Sequence, residues 1–441
     1  MSLDVFQQAS LLDCMHQPGC PICRATWKMD TAQFGWYVND GVLDEETQRR
    51  VIRALGFCPP HALSLAIIEG SDFLWSHLGS CMVYVNVIEH ALLPNLERFL
   101  FRSGQWFLQP FRLRVFSPLR HLFHHNLCLL CFDHRQHEAT YREQFAEAFS
   151  TNADFRQAYL QADSLCVPHF QQVRAILSEQ SMVHLLEHVE AHALELCQQA
   201  QTSDVRNQLW QCLALLYGAD TLFWSDFTPR AAISASDAGP APCLACQESG
   251  YETSQLSAPL LDRLEEVFQF EEEHRALSVC SWHAWWLLHQ GPLQPAGVSR
   301  LAPLLQRTCG VLLPHLESTK CECRPCDICA WTGEQEIMQV GKLQHKLRDS
   351  EQRVPLCLRH ARAALRQPSD EATAHNVAYA LMYTVAPLAR RLEAYIYKCT
   401  ERFQDQMQPH ELVAWFDAIQ WFGGSSTAQL LLAPSPSDPS V

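Results

Sequence analysis

The chain has 441 residues, of which 48% are hydrophobic and 18% charged, the composition of a folded protein with room for several cores. Its formal net charge is −15, which argues against nucleic acid as a partner, because such binding needs a basic surface that displaces counterions. No segment offers the roughly 18 uninterrupted apolar residues of a membrane span. Met1 to Gln17 lacks the basic start and apolar stretch of a secretory leader, so the expected location is the cytoplasm.

In a reducing compartment twenty cysteines read as metal ligands rather than as a disulfide framework. Their order along the chain supports this. Cys20-Pro-Ile-Cys23 is followed by Cys58-Pro-Pro-His61, and Cys128-Leu-Leu-Cys131 by Cys166-Val-Pro-His169. Cys243-Leu-Ala-Cys246 precedes Cys280-Ser-Trp-His283, and Cys326-Asp-Ile-Cys329 precedes Cys357-Leu-Arg-His360. The gaps between the paired motifs hold 34, 34, 33 and 27 residues. Chance would supply roughly one motif of each kind in such a composition. A fourfold repeat at nearly constant spacing is the dominant signal in the sequence.

The first gap reads as a helical hairpin. Trp27, Phe34 and Val38 fall at helical intervals before the stop signal Asn39-Asp40-Gly41. Asp44 is placed to cap a second helix, with Glu45 and Glu46 in its first turn and Gly56 past its end. A helix of about 15 residues out and one of about 11 back, at 1.5 Å per residue, is expected to return Cys58 to Cys23. The second module repeats the pattern with Tyr141, Phe145 and Phe149, a turn at Asn152, then Phe155 and Tyr159. The fourth has a shortened return helix. Each ligand pair is also expected to open a helix, as Pro59 and Pro60 suggest, so that exposed N–H groups favour the thiolates.

A further helix closes each module, and three modules share a proline-centred phrase: Leu93-Pro94, Leu313-Pro314 and Ala386-Pro387. The expected organisation is module one over 1–102, module two with its connector over 103–227, and a Pro/Ala/Ser/Gly linker over 228–242. Module three then covers 243–320, module four with a C-terminal amphipathic helix 321–422, and a disordered tail 423–441. The fold class is all-α, with four tandem helical hairpins, each stapled by its own Cys3His site and arranged as two pairs. The amphipathic helix around Leu412, Trp415, Phe416, Ile419 and Phe422 carries an aromatic stripe that reads as core or repeat cap rather than as a partner surface.

Three thiolates and a neutral imidazole form a closed structural zinc set, giving about four zinc ions per chain. An iron–sulfur cluster is the alternative, since such clusters accept His in place of Cys. Cys321-Glu-Cys323-Arg-Pro-Cys326-Asp-Ile-Cys329 offers two overlapping Cys-x-x-Cys registers, of which Cys326 and Cys329 read as the ligand pair, while Cys321 and Cys323 stand as alternative ligands or an oxidisable outer pair. Cys14, Cys81, Cys197, Cys212, Cys309 and Cys399 are expected to pack as small hydrophobes. A weaker candidate is His184-Leu-Leu-Glu187-His188, continued by His192, which spells an inverzincin-like pattern for a metal-dependent hydrolase. No phosphate loop, dinucleotide fingerprint or nucleophile elbow is present.

Cys20-Pro-Ile-Cys23-Arg24, Tyr37-Val38-Asn39-Asp40 and Gly56-Phe57-Cys58 with His61 and Ala62 resemble an uncharacterised bacterial family marked by CPxC and GFCxxH motifs. The resemblance covers about 45 residues of module one, while the later modules keep only the ligands. It implies bacterial origin and metal binding, and no activity. The combined expectation is a non-catalytic zinc-binding repeat protein that acts as an interaction or scaffold module with a protein partner. Its catalytic residues are expected to be none.

Overall fold

A computed structural model describes residues 5–72, 77–104, 128–199, 205–218, 326–349, 355–366, 371–401 and 406–423, with positions 243, 246, 279–280, 283, 308 and 403. Cys197, Cys309, Cys321, Cys323, the phrase at Pro314, the 228–242 linker and most of module three lie outside the described side chains, as does the tail beyond Gly423. The fold is all-α, with no strand among the described residues.

The N-terminal elements are α1 (Val5–Met15), α2 (Pro21–Trp36), a π-turn (Tyr37–Gly41), α3 (Glu45–Ala54) and α4 (Pro59–Asp72). They are followed by α5 (Leu78–Val87), a second π-turn (Ile88–Leu92) and α6 (Leu93–Gly104). Next come α7 (Leu129–Thr151), α8 (Ala153–Leu160), α9 (Val167–Arg174), α10 (Glu179–Gln199) and α11 (Val205–Tyr217). The C-terminal set is α12 (Asp327–Asp349), α13 (Leu358–Arg366), α14 (Glu371–Thr400), α15 (Pro409–Leu412) and α16 (Ala414–Gly423).

The local grammar of the first hairpin holds. Asp44 caps α3 by accepting from the Thr47 N–H at 2.8 Å, which satisfies a donor that has no partner within the helix. The far end of α3 closes through two left-handed residues, Leu55 at φ 58° and Gly56 at φ 87°. The Gly56 N–H donates back to the Val51 carbonyl at 2.9 Å, a C-terminal closure that glycine accepts without steric cost. In the second hairpin Asn152 caps α8. Phe145, Phe149, Phe155 and Tyr159 form a buried aromatic cluster with ring centroids 5.0–5.7 Å apart, the spacing that edge and offset contacts prefer.

The chain gathers into two compact units, each built from three separate segments. The first comprises Met1–Ala32, Asp133–Asp226 and Ser254–Trp331; the second comprises Gln33–Phe132, Phe227–Thr253 and Thr332–Val441. These units cut across the module boundaries expected from the sequence. In the first, α1 lies on α8, and α9, α10 and α11 pack on one another. In the second, the 30-residue α14 lies along α5 and α6, and α16 packs against α4, α5, α13 and α14. Trp415 stacks on His77 with centroids 3.5 Å apart, and Phe422 on Tyr84 at 4.5 Å. The aromatic stripe of α16 is therefore core: Phe416 and Ile419 are fully buried and Trp421 nearly so.

Candidate metal centres

Six of the eight ligand pairs open a helix within the described residues. Cys20, Cys58, Cys128, Cys166, Cys326 and Cys357 each stand just before a helix, and each carbonyl accepts the N–H four residues on at 2.8–3.2 Å. The second ligand of each pair, three residues later, then sits in the first turn on the same side. At the other two pairs only Cys243, Cys246, Cys280 and His283 themselves are described.

The sixteen ligands converge into four groups, and the pairing is crosswise. Group one is Cys20, Cys23, Cys166 and His169; group two is Cys58, His61, Cys128 and Cys131. Group three is Cys243, Cys246, Cys357 and His360; group four is Cys280, His283, Cys326 and Cys329. Each Cys-x-x-Cys pair therefore meets the Cys-x-x-His pair of a different module, and modules one and two exchange pairs, as do three and four. This overturns the expectation that each hairpin closes its own site. Helix length explains the outcome. Helix α2 has 16 residues and runs on into a five-residue π-turn, whereas the return helix α3 has 10. In the second hairpin 23 residues go out and 8 come back. Hairpins with such unequal arms do not by themselves carry the second pair back to the first.

The geometry suits one tetrahedral ion per group. Bonds of about 2.3 Å to sulfur and about 2.0 Å to nitrogen imply edges near 3.8 Å between sulfurs and near 3.5 Å between sulfur and nitrogen. In group one His169 Nδ1 lies 3.5, 3.3 and 3.2 Å from the sulfurs of Cys20, Cys23 and Cys166, and Cys23 lies 3.7 Å from Cys166. Group two has sulfur–nitrogen separations of 3.1, 3.2 and 3.6 Å and a sulfur–sulfur separation of 3.5 Å. Group three gives 3.2–3.5 Å and 3.8 Å, and group four 3.3–3.4 Å and 3.9 Å. All four imidazoles present Nδ1 to the cluster.

Charge is arranged to match. In group one the N-termini of α2 and α9 meet at the cluster, and in group two those of α4 and α7. Two positive dipole ends offset the −1 that three thiolates leave around a divalent cation. Within group two, hydrogen bonds from Cys131 and Cys58 hold the Cys128 thiol well below its usual range, and the Cys128 bond pushes Cys58 well up. In group four the Cys280 bond holds Cys326 down to about 3. In group three burial disfavours the charged imidazole, yet the thiols of Cys243 and Cys246 push His360 up to about 10. Protons held this way must leave when a cation enters, so loading weakens as pH falls.

Two polar constellations carry no signal in the repeat pattern. His169 donates its Nε2 proton to Glu138 Oε1 at 3.0 Å, which fixes the tautomer that leaves Nδ1 for the ion. That hydrogen bond holds the Glu138 carboxyl below the usual range. Asp30 is buried and binds Nδ1 of His134 at 2.6 Å and of His137 at 3.2 Å. Glu138 lies seven residues beyond Cys131, two turns along α7, and only the tertiary fold shows that it serves His169 of group one rather than the group that holds Cys131.

The hydrolase candidate does not assemble. His184 and Glu187 pair at 3.8 Å on an exposed face of α10, while His188 turns away and its Nε2 meets the Ala162 carbonyl at 3.0 Å. His188 and His192 instead line a cavity of about 460 Å³ with Asp163 and Glu195. Cys20 and Cys166 border that cavity but are only 5% and 0% exposed, so group one stays closed toward it. Cys14, Cys81, Cys212 and Cys399 are buried, as expected of small hydrophobes.

No helix among the described residues is long and apolar enough to cross a membrane. Comparison with known proteins finds no family model, no curated protein and no solved structure that matches the chain.

Proposed function

We propose that this chain is a non-catalytic, zinc-binding helical repeat protein that presents a metal-stapled scaffold to a protein partner. The observation that carries the reading is the completeness of the ligand sets. Each group supplies three sulfurs and one imidazole nitrogen at tetrahedral spacing, which satisfies a structural ion without leaving a position for substrate. Borderline-soft zinc suits this donor set, and it brings no redox chemistry of its own. The crosswise pairing gives the ions a structural role, because each one ties together helices that stand far apart in the chain. The CPxC and GFCxxH resemblance of module one is in keeping with this reading and adds no activity to it.

The test is elemental analysis with an absorption spectrum of anaerobically purified protein. The expected result is four zinc ions per chain, one for each group, and no visible absorption. Iron with inorganic sulfide in its place would overturn the zinc assignment and make the chain an iron–sulfur electron carrier or redox sensor.

A further inference from the structure

The four groups differ in how far solvent reaches them. In groups one and three all four ligands are buried. Group two keeps His61 and Cys128 buried, with Cys58 and Cys131 at intermediate depth. Group four is the outlier: Cys280 and His283 are half-buried, and Cys329 is exposed although it is a ligand. A thiolate in a buried cluster meets a reagent only after local opening, whereas one at the surface meets it directly.

We propose that group four is a modification site for small hydroperoxides, with Cys329 as the attacked sulfur and release of the ion as the consequence. The proposal rests on the metal-binding reading above. The Cys329 thiolate attacks the outer oxygen of the hydroperoxide; a sulfur–oxygen bond forms, the oxygen–oxygen bond breaks, and the alkoxide or hydroxide leaves with the electron pair. It takes its proton from water. The sulfenic acid on Cys329 then meets the Cys280 thiolate, whose sulfur lies 3.9 Å away. A sulfur–sulfur bond forms and hydroxide leaves. Two thiolates have together given two electrons, and the peroxide oxygen has taken them. Cys326 and His283 remain, too few to hold the ion. A thiol reductant restores both ligands by exchange, and the site reloads. Burial shields groups one and three from the same reagent.

The experiment uses the full chain loaded with zinc and exposed to hydrogen peroxide in the presence of a colorimetric chelator, with differential alkylation and mass spectrometry at each time point. The expected result is the loss of one of the four ions in a separate fast phase, with Cys329 oxidised in that phase. The Cys329→Ser chain should hold three ions and lack that phase. Release of all four ions at a single rate would overturn the proposal, as would first oxidation at Cys20, Cys23, Cys166, Cys243, Cys246 or Cys357. A chain that binds no ion would overturn the metal reading and this inference together, so the two failures are distinguishable.

Discussion

His169 reaches its cluster through Nδ1, and Glu138 grips the opposite nitrogen at 3.0 Å. That carboxylate fixes the ring and raises its donor strength without touching the ion. Glu138→Gln keeps the shape and removes the charge, so group one should lose about 10- to 100-fold in metal affinity. Competition with a chelator checks this, and group three should be unchanged. A second residue stores a pH dependence. Glu69 is fully buried and accepts from the Ser80 N–H at 3.1 Å. Burial pushes its carboxyl up to about 7 from 4.5. The folded state thus binds this proton more tightly than the unfolded chain. The associated stability is complete below about pH 4.5 and is lost as pH rises through about 7, a term on the order of 3 kcal/mol. His77, which burial holds down to about 3, acts in the opposite sense, losing stability as pH falls below 6.5. Denaturant midpoints of wild type and Glu69→Gln between about pH 5 and 8 therefore isolate the glutamate, because the variant should lack its slope.

Among the elements, α16 shows how a pattern becomes a core. Its aromatic residues recur at helical intervals, and the fold buries that face against α4, α5, α13 and α14. Phe416 is fully buried, and Trp415 and Phe422 stack on His77 and Tyr84. Phe416→Ala should cost about 3–5 kcal/mol, read as a shift in the denaturant midpoint at unchanged slope. Metal content at group one should stay intact, since its ligands fall in the other compact unit. The hairpin elements were legible because their signals are local. A cap at Asp44, a left-handed close at Gly56 and paired aromatics around Asn152 each act within a few residues. The π-turns at Tyr37–Gly41 and Ile88–Leu92 were not legible, since one extra residue in a helical turn leaves no composition signal.

At the scale of the whole molecule the exchange of ligand pairs has a direct test. Cys58→Ser removes a ligand from group two, which also contains Cys128 and Cys131. Those two thiols should become open to alkylation, while Cys20 and Cys23 stay protected. Closure within modules would give the reverse pattern. The ligand contacts bridge long stretches of chain: Cys20 and His169 are 149 residues apart in sequence, and Cys243 and His360 are 117 apart. Ordering such distant segments costs loop-closure entropy, which ion binding would offset because it would favour the folded chain alone.

The sequence by itself determined which side chains gather as candidate ligands. Identity and i, i+3 spacing are properties of one helical turn, so Cys-x-x-Cys and Cys-x-x-His announce a chelating pair wherever they stand. It also determined the helical class and the buried aromatic faces, since a 3.6-residue period is visible along the chain. The partner of each pair was decided only by tertiary structure. Near-identical motifs in successive modules satisfy the same donor chemistry, and spacing alone cannot choose between a hairpin that closes on itself and two that exchange ends. That choice turned on the unequal arms, 16 residues against 10 and 23 against 8, and on which helix N-termini the packing brings together.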